Sequence, residues 1–451
     1  MAPAALFESF VGALQASLSV LLVICYGGIA AKLKLLSKEN AKAISKISVR
    51  MFLPALLFTK IGSELHAGSA SRYGIILVWA IVTHVVSFAI GMFAHYILKL
   101  PSWTAIAVMF NNSTSYPLLL IEALAETGIL ESLIVTDEST KDAIERAKSY
   151  FLVYATVSSC LTFAVGPRLI DTENAPEMEE DDEPKDGEDG VGAADGSDDR
   201  DEEAATERTG LLGHRNGALS GDPFHGMKKF FASITNSEDA INERRAYIIP
   251  KSAWARLSPR TKWWMLFVSD FFNAPLLGAV LGAVIGLTPA LHKAFFADAQ
   301  KGGIFTAWLT SSLKNIGGLF VPLPVVIAGV SLFSSIKDEK MEKATFKKIP
   351  WGTWTYVLVV RFLLWPVASI GLIYLCASRT GVVGDDPMLW FTLMMMPTGP
   401  PAMKLVTLVQ VSGGGEEEEK NISRLLTVAY MMSPLLSLTV VGSLKAVQAS
   451  L

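Results

Sequence analysis

Charge is scarce in this sequence. Only 18% of its 451 residues are Asp, Glu, Lys or Arg, against about 25% in a soluble protein. Cysteine is scarcer still: Cys25, Cys160 and Cys376 each fall inside an apolar stretch, with no metal-ligand spacing. That argues against a disulfide framework. No glycine-rich phosphate loop occurs, so nothing supports an ATP-driven pump, and no nucleophile constellation or His-Cys metal pattern stands out. No cofactor, metal, enzyme activity or nucleic-acid partner is implied. The first apolar block lacks a basic stretch before it and reads as a membrane span, not a cleaved leader.

What the sequence has instead is hydrophobic length. It is 51% hydrophobic, with a mean hydropathy of +0.39. The apolar residues gather in blocks at 14–33, 46–65, 73–98, 103–126 and 148–170, then at 264–287, 305–334, 352–377, 388–411 and 422–446. Each is close to the roughly 20 residues that cross a bilayer core as a helix. The expected fold is an all-α polytopic membrane protein of ten transmembrane helices. Between the two sets, 171–207 is dense in acid, as in Asp198-Asp199-Arg200-Asp201-Glu202-Glu203. Such a segment cannot bury enough apolar area to offset its ordering entropy, and disorder is expected there. Residues 208–262 turn basic, with a surface helix expected near 224–234. The organisation is thus 1–170, 171–262 and 263–451.

Lys32, Lys34, Lys38, Lys42 and Lys46 follow the first block, and Lys337, Lys340, Lys343, Lys347 and Lys348 follow the seventh. Loop lysines and arginines favour the cytoplasm. Odd-numbered loops, the central one included, are therefore expected there, with both termini on the opposite side.

The two halves share a plan. Phe52-Leu53-Pro54-Ala55-Leu56 in block 2 is echoed by Phe320-Val321-Pro322-Leu323-Pro324 in block 7. Block 4 carries Asn111-Asn112-Ser113-Thr114-Ser115-Tyr116-Pro117, and block 9 carries Met395-Met396-Pro397-Thr398-Gly399-Pro400-Pro401. Five spans per half make the halves opposite in orientation, an inverted 5+5 repeat. Matched breaks in such repeats point to a transporter site. Proline removes an amide donor and clashes with the carbonyl four residues back. Unwound backbone survives at membrane depth only when buried in protein or lining a cavity. A pair of structural kinks is the competing reading, and it leaves the polar filling of both breaks unexplained.

These matched breaks, the Phe-Leu-Pro-Ala-Leu segment and the run Pro-Pro-Ala-Met-Lys-Leu-Val-Thr-Leu-Val-Gln at 400–410 resemble the auxin efflux carrier family. The similarity is greatest to its short-looped PIN-LIKES branch and fungal relatives, and covers both membrane halves. The resemblance implies helices 4 and 9 crossing near the midplane, elevator-like movement of a transport domain against a scaffold, and a homodimer. It implies that Asn112 or Asn111 helps bind a carboxylate. It favours the endoplasmic reticulum, with the plasma membrane as alternative. Ser113-Thr114-Ser115 replaces a stretch rich in glycine and asparagine, and Lys404 stands where asparagine is common.

Each break leaves a half-helix whose amino end presents free amides and positive partial charge, which suits an anion. Asn111, Asn112, Ser113, Thr114, Pro117, Thr398, Pro400, Pro401 and Lys404 are the expected lining. The serines and threonines have a blander alternative, bonding back to their own helices. Ionisable groups inside spans are costly and are read as functional first. Glu122 either pairs with Lys404 or carries a proton. His84 and Arg361 occupy corresponding blocks, 3 and 8, in coupling or support roles; packing is the alternative for His84, and capping of a helix carbonyl end for Arg361. Gln410 belongs to a support site or an ordinary helix contact. The expected function is export of a small organic anion from the cytosol. The alternatives are a sodium-coupled organic-acid carrier and a non-transporting receptor or scaffold acting through the central loop.

Overall fold

The computed structural model describes residues 3–134, 138–174, 253–254, 256–341, 350–405 and 416–451. Most of the central insert, with the surface helix expected at 224–234, lies outside the described residues, as does Gln410. The described chain is helical apart from one isolated bridge between Asn111 and Pro401. Its helices are α1 (Pro3–Lys32), α2 (Lys38–Ile47), α3 (Leu53–Glu64), α4 (Ala70–Tyr96), α5 (Trp103–Met109), α6 (Ser115–Glu126) and α7 (Thr140–Asn174). The second half has α8 (Pro259–Phe271), α9 (Ala274–Leu287), α10 (Pro289–Phe296), α11 (Ser311–Gly318), α12 (Leu323–Met341), α13 (Trp351–Val359), α14 (Trp365–Arg379), α15 (Pro387–Met395), α16 (Glu416–Met431) and α17 (Leu436–Ser450).

By length and composition, five helical stretches can cross a membrane: Phe7–Lys32, Ala70–Tyr96, Thr140–Gly166, Thr306–Ser334 and Trp351–Arg379. Two bent pairs raise the number to seven. The sixth apolar block is one of these pairs. It bends by 62° between α8 and α9. The cause is local. Asn273 turns extended, its Oδ1 accepts the Leu276 amide at 3.0 Å, and Pro275 opens a new helix, a start signal that competes with continuing the old one. The fifth helix begins at Thr140 instead of 148, which places Lys148 within it. Glu416–Glu419 form the first turn of α16.

The prolines act in two ways. Before Pro54 and Pro366 the chain forms single π-helical turns, Ser48–Phe52 and Val360–Leu364, and the helix resumes. A wider turn absorbs the missing amide and the ring's bulk. Around Pro397–Pro401 the helix stops instead, because three prolines without amides cannot serve the helical ladder, whereas Pro117 sits in the first turn of α6, where no amide is needed.

Two close crossings tie the halves together. A Cβ on Gly27 of α1 would lie 1.9 Å from the Val326 carbonyl oxygen of α12, and one on Gly278 of α9 would lie 2.5 Å from the Pro54 carbonyl oxygen at the start of α3. Glycine lets these backbones touch. Every residue of α5 and of α15 is buried. The membrane stretch of α7 is 82% buried, against 39% for those of α1 and α4. So α5, α7 and α15 form the interior, while α4 turns Val78, Ile81 and Val85 outward.

Candidate functional site

The two interrupted helices meet at their breaks. Residues 110–112 run antiparallel to 400–402: the Asn112 amide donates to the Pro400 carbonyl and the Ala402 amide to the Phe110 carbonyl, both at 2.9 Å. Neither segment could do this as a helix.

The carboxyl end of α15 is then satisfied carbonyl by carbonyl. Pro397 has no amide for the Leu393 carbonyl, and Trp79 Nε1 from α4 donates to it at 2.9 Å. Ser369 Oγ of α14 donates to Met394 at 2.7 Å, and Thr398 bonds Met395 through both its amide and its hydroxyl. Asn111 Nδ2 reaches the carbonyls of Met396 and Thr398, each at 2.8 Å. Arg361, only 1% exposed, donates from Nη1 to Pro397 at 3.2 Å and from Nε to Ala107 in the last turn of α5 at 3.4 Å. One buried cation thus faces the negative carboxyl ends of both broken helices. An unsatisfied carbonyl here would cost several kcal/mol (on the order of 2–7), which explains six consecutive acceptors with donors from four segments.

The amino end of α6 differs. Thr114 precedes it without a side-chain cap, and among the described residues the amides of Ser115 and Tyr116 meet no acceptor. Asn112 is half-buried beside them. Its Nδ2 donates to the Tyr430 hydroxyl at 2.8 Å, which donates to the Pro401 carbonyl at 3.2 Å. Thr114 Oγ1 reaches Asn112 Oδ1 at 3.4 Å, the buried Ser113 Oγ meets no partner among the described residues, and Ser115 Oγ donates to the Phe320 carbonyl at 3.3 Å. Gly399 has φ +98°, a conformation that disfavours any side chain. The space between Pro117, Thr398 and Gly399 is about 10 Å³, room for about one water.

Beside α6 lies a larger cavity, about 300 Å³, lined by Lys60, Glu122, Lys148, Lys314 and apolar residues including Leu118 and Pro322. Glu122 pairs with Lys148 at 2.8 Å, in place of the expected Lys404. Glu145 pairs with Lys60 and lies 3.1 Å from Lys148. The Glu122 side chain is 42% exposed, so the cavity reaches the surface. Lys404 is half-buried with Nζ 3.4 Å from Ser159 Oγ. His84 donates from Nδ1 to the Ala80 carbonyl at 2.7 Å and packs on Tyr154 and Phe110.

A family model described as membrane transport protein matches residues 13–441. The chain belongs to the membrane transport protein family. An uncharacterized transporter of Schizosaccharomyces pombe is 22% identical over 419 residues, 90% of this chain and 89% of its own length. PIN-LIKES 2 of Arabidopsis thaliana is 21% identical over 92% of each chain, and PIN-LIKES 7 of the same plant is 26% identical over 34% of this chain and 35% of its own.

In this membrane transport protein the structure brings Asn111, Asn112, Ser113, Thr114, Pro117, Thr398, Pro400, Pro401 and Arg361 to one crossing. It separates Glu122 from Lys404. Lys60, Lys148 and Lys314 were not anticipated at a site. The signal was available for Lys60 and Lys314, which stand inside apolar blocks, where a charge calls for explanation.

Proposed function

We propose that this transporter carries a small organic anion, an auxin-like carboxylate, out of the cytosol and holds it at the crossing of the two broken helices. The observation that carries the reading is the asymmetry of the crossing: carbonyl ends bonded by the protein, amide ends of α6 left for a ligand. Asn112, Thr114 and Ser113 supply polar groups beside those amides, with Thr398, Pro400, Pro401 and Lys404 opposite and Pro117 fixing the start of α6. Asn111 and Arg361 hold the frame. Gln410, Glu122 and His84 belong to support and coupling.

A ten-span inverted repeat is supported by the crossings. In this numbering α5 with α6 belongs to span 4, and α15 with residues 396–405 belongs to span 9. The α1–α12 contact joins spans 1 and 7, and the α9–α3 contact joins spans 6 and 2; the repeat exchanges these pairs. Those four spans suit a scaffold, and the remainder the moving body of an elevator. The small space at the crossing suits a closed conformer. With odd loops cytoplasmic, the lysine cavity lies on the exit side, where its cations draw the anion off. A homodimer in the endoplasmic reticulum follows from the family resemblance.

Uptake of radiolabelled indole-3-acetate into proteoliposomes tests this. Saturable uptake, reduced at least about tenfold by Asn112→Ala in a protein that still elutes as a folded species, is the expected result. Unchanged uptake in that variant overturns the crossing site. Replacing sodium with choline separates a sodium-coupled carrier.

A further inference from the structure

Away from the crossing, a groove of about 830 Å³ opens to the lipid side between α4, α7 and the bent pair α8–α9. Its volume is in the range of small-molecule pockets, roughly 300–1,000 Å³. Trp264, Phe267 and Phe271 line it from α8, Phe88 from α4 and Val280 from α9. The three aromatics form an edge-to-face ladder, with ring centroids 5.7 and 5.1 Å apart. Because α8 lies at 62° to α9, this ladder crosses the groove mouth and does not continue the span.

The same stripe has a charged head. Arg260, Trp264, Phe267 and Phe271 follow one another at intervals of four, three and four, so they share one helix face. Arg256 lies four residues earlier, in the turn that precedes α8, and both are exposed. They sit at the amino-terminal end of α8, where the helix dipole also favours an anion. Cation at one end and aromatic ladder at the other match an anionic head joined to an apolar chain. Basic pockets between membrane helices at the cytoplasmic side bind such lipid heads.

We infer that the groove is a binding site for an anionic phospholipid, its phosphate at Arg256 and Arg260 and an acyl chain along Trp264, Phe267 and Phe271. The groove walls come from both halves of the chain, so the lipid bridges α3, α4 and α7 to α8 and α9. The inference is independent of what the crossing binds.

Native mass spectrometry of the full protein, offered equal phosphatidylglycerol and phosphatidylcholine in detergent, tests it. The expected result is retention of phosphatidylglycerol over phosphatidylcholine. The double variant Arg256→Ala/Arg260→Ala should lower that retention about tenfold. Val280→Trp, on an exposed position of the groove wall, should lower retention of both lipids while the melting temperature stays within about 2 °C. Equal retention of the two lipids, no retained lipid, or full retention by the arginine variant overturns it. If Val280→Trp fails to fold, the arginine pair decides alone.

Discussion

The carboxyl end of α15 and the amino end of α6 each lie a few residues from the bridge between Asn111 and Pro401, and the protein treats them differently. At the first, six consecutive carbonyls from Leu393 to Thr398 have donors, drawn from Trp79, Ser369, Thr398, Asn111 and Arg361. At the second, Thr114 gives no side-chain cap, and two amides meet no acceptor among the described residues. Both sets of groups are costly to bury unmet. The contrast teaches that breaking a helix is not in itself a binding device. It becomes one when the end of unwanted polarity is closed by the protein and the other is left for a solute.

The comparison breaks most severely at Arg361. Arg361→Leu removes the donor to Ala107 and Pro397 together, leaving two buried carbonyls unmet and the ends of α5 and α15 without their cation. Loss on the order of 3–5 kcal/mol is expected, read as failure to elute as a monodisperse species. Arg361→Lys should rescue only in part, since an ammonium cannot fork between two acceptors as guanidinium does. A full-stability Arg361→Leu protein would show that the carbonyl end needs no cation.

Asn111 and Asn112 sharpen the contrast within one dipeptide. Asn111→Ala should cost about 2–4 kcal/mol, because two carbonyls of the α15 end lose their donor, and a large fall in melting temperature would register it. Asn112→Ala loses a bond to a tyrosine hydroxyl and a long contact from Thr114 and should cost about 1 kcal/mol, while its uptake falls far more than its stability. Two variants with the same balance of stability and uptake would erase the distinction.

The sequence made the breaks legible and left this division of labour hidden. Proline and polar residues at matched places in blocks 4 and 9 mark where helices end, because the chemistry of the interruption is local. Two adjacent asparagines look alike until the fold points one at a helix end and the other at Tyr430. Trp79 and Ser369 were beyond reach for the same reason: each meets a carbonyl on another helix. Arg361 was readable in kind, as a cation for a helix end, but not in its partners. The pairing of Glu122 with Lys148 escaped because hydropathy starts the fifth block only at residue 148, whereas α7 starts eight residues earlier. The bend at Asn273 was signalled by Asn-Ala-Pro, a helix start inside an apolar block, and hydropathy overrode it.

Gly399 gives a smaller effect on the side of the ligand. Its φ of +98° is strained for alanine, although a Cβ would meet only Leu436 Cδ1 at 3.7 Å. Gly399→Ala should therefore cost about 1–2 kcal/mol through backbone conformation, seen as a modest fall in melting temperature. A fall as large as that of Arg361→Leu would mean that packing, and not the dihedral angle, decides this position.

The smallest expected effect tests why the carbonyl end needs outside donors. Trp79→Phe keeps the ring in place and removes only the Nε1 donor to Leu393, for about 1 kcal/mol. In an intact helix the Leu393 carbonyl would take the amide of residue 397, and Pro397 has none. Pro397→Ala restores that amide one turn away. It should therefore cancel the loss in the Trp79→Phe background, while in the wild-type background it makes two donors compete for one carbonyl. Measured as a double-mutant cycle on melting temperature, the coupling should be favourable. Additive losses would mean that Trp79 holds α4 against α15 by packing, and that the missing proline amide is not what brought the indole there.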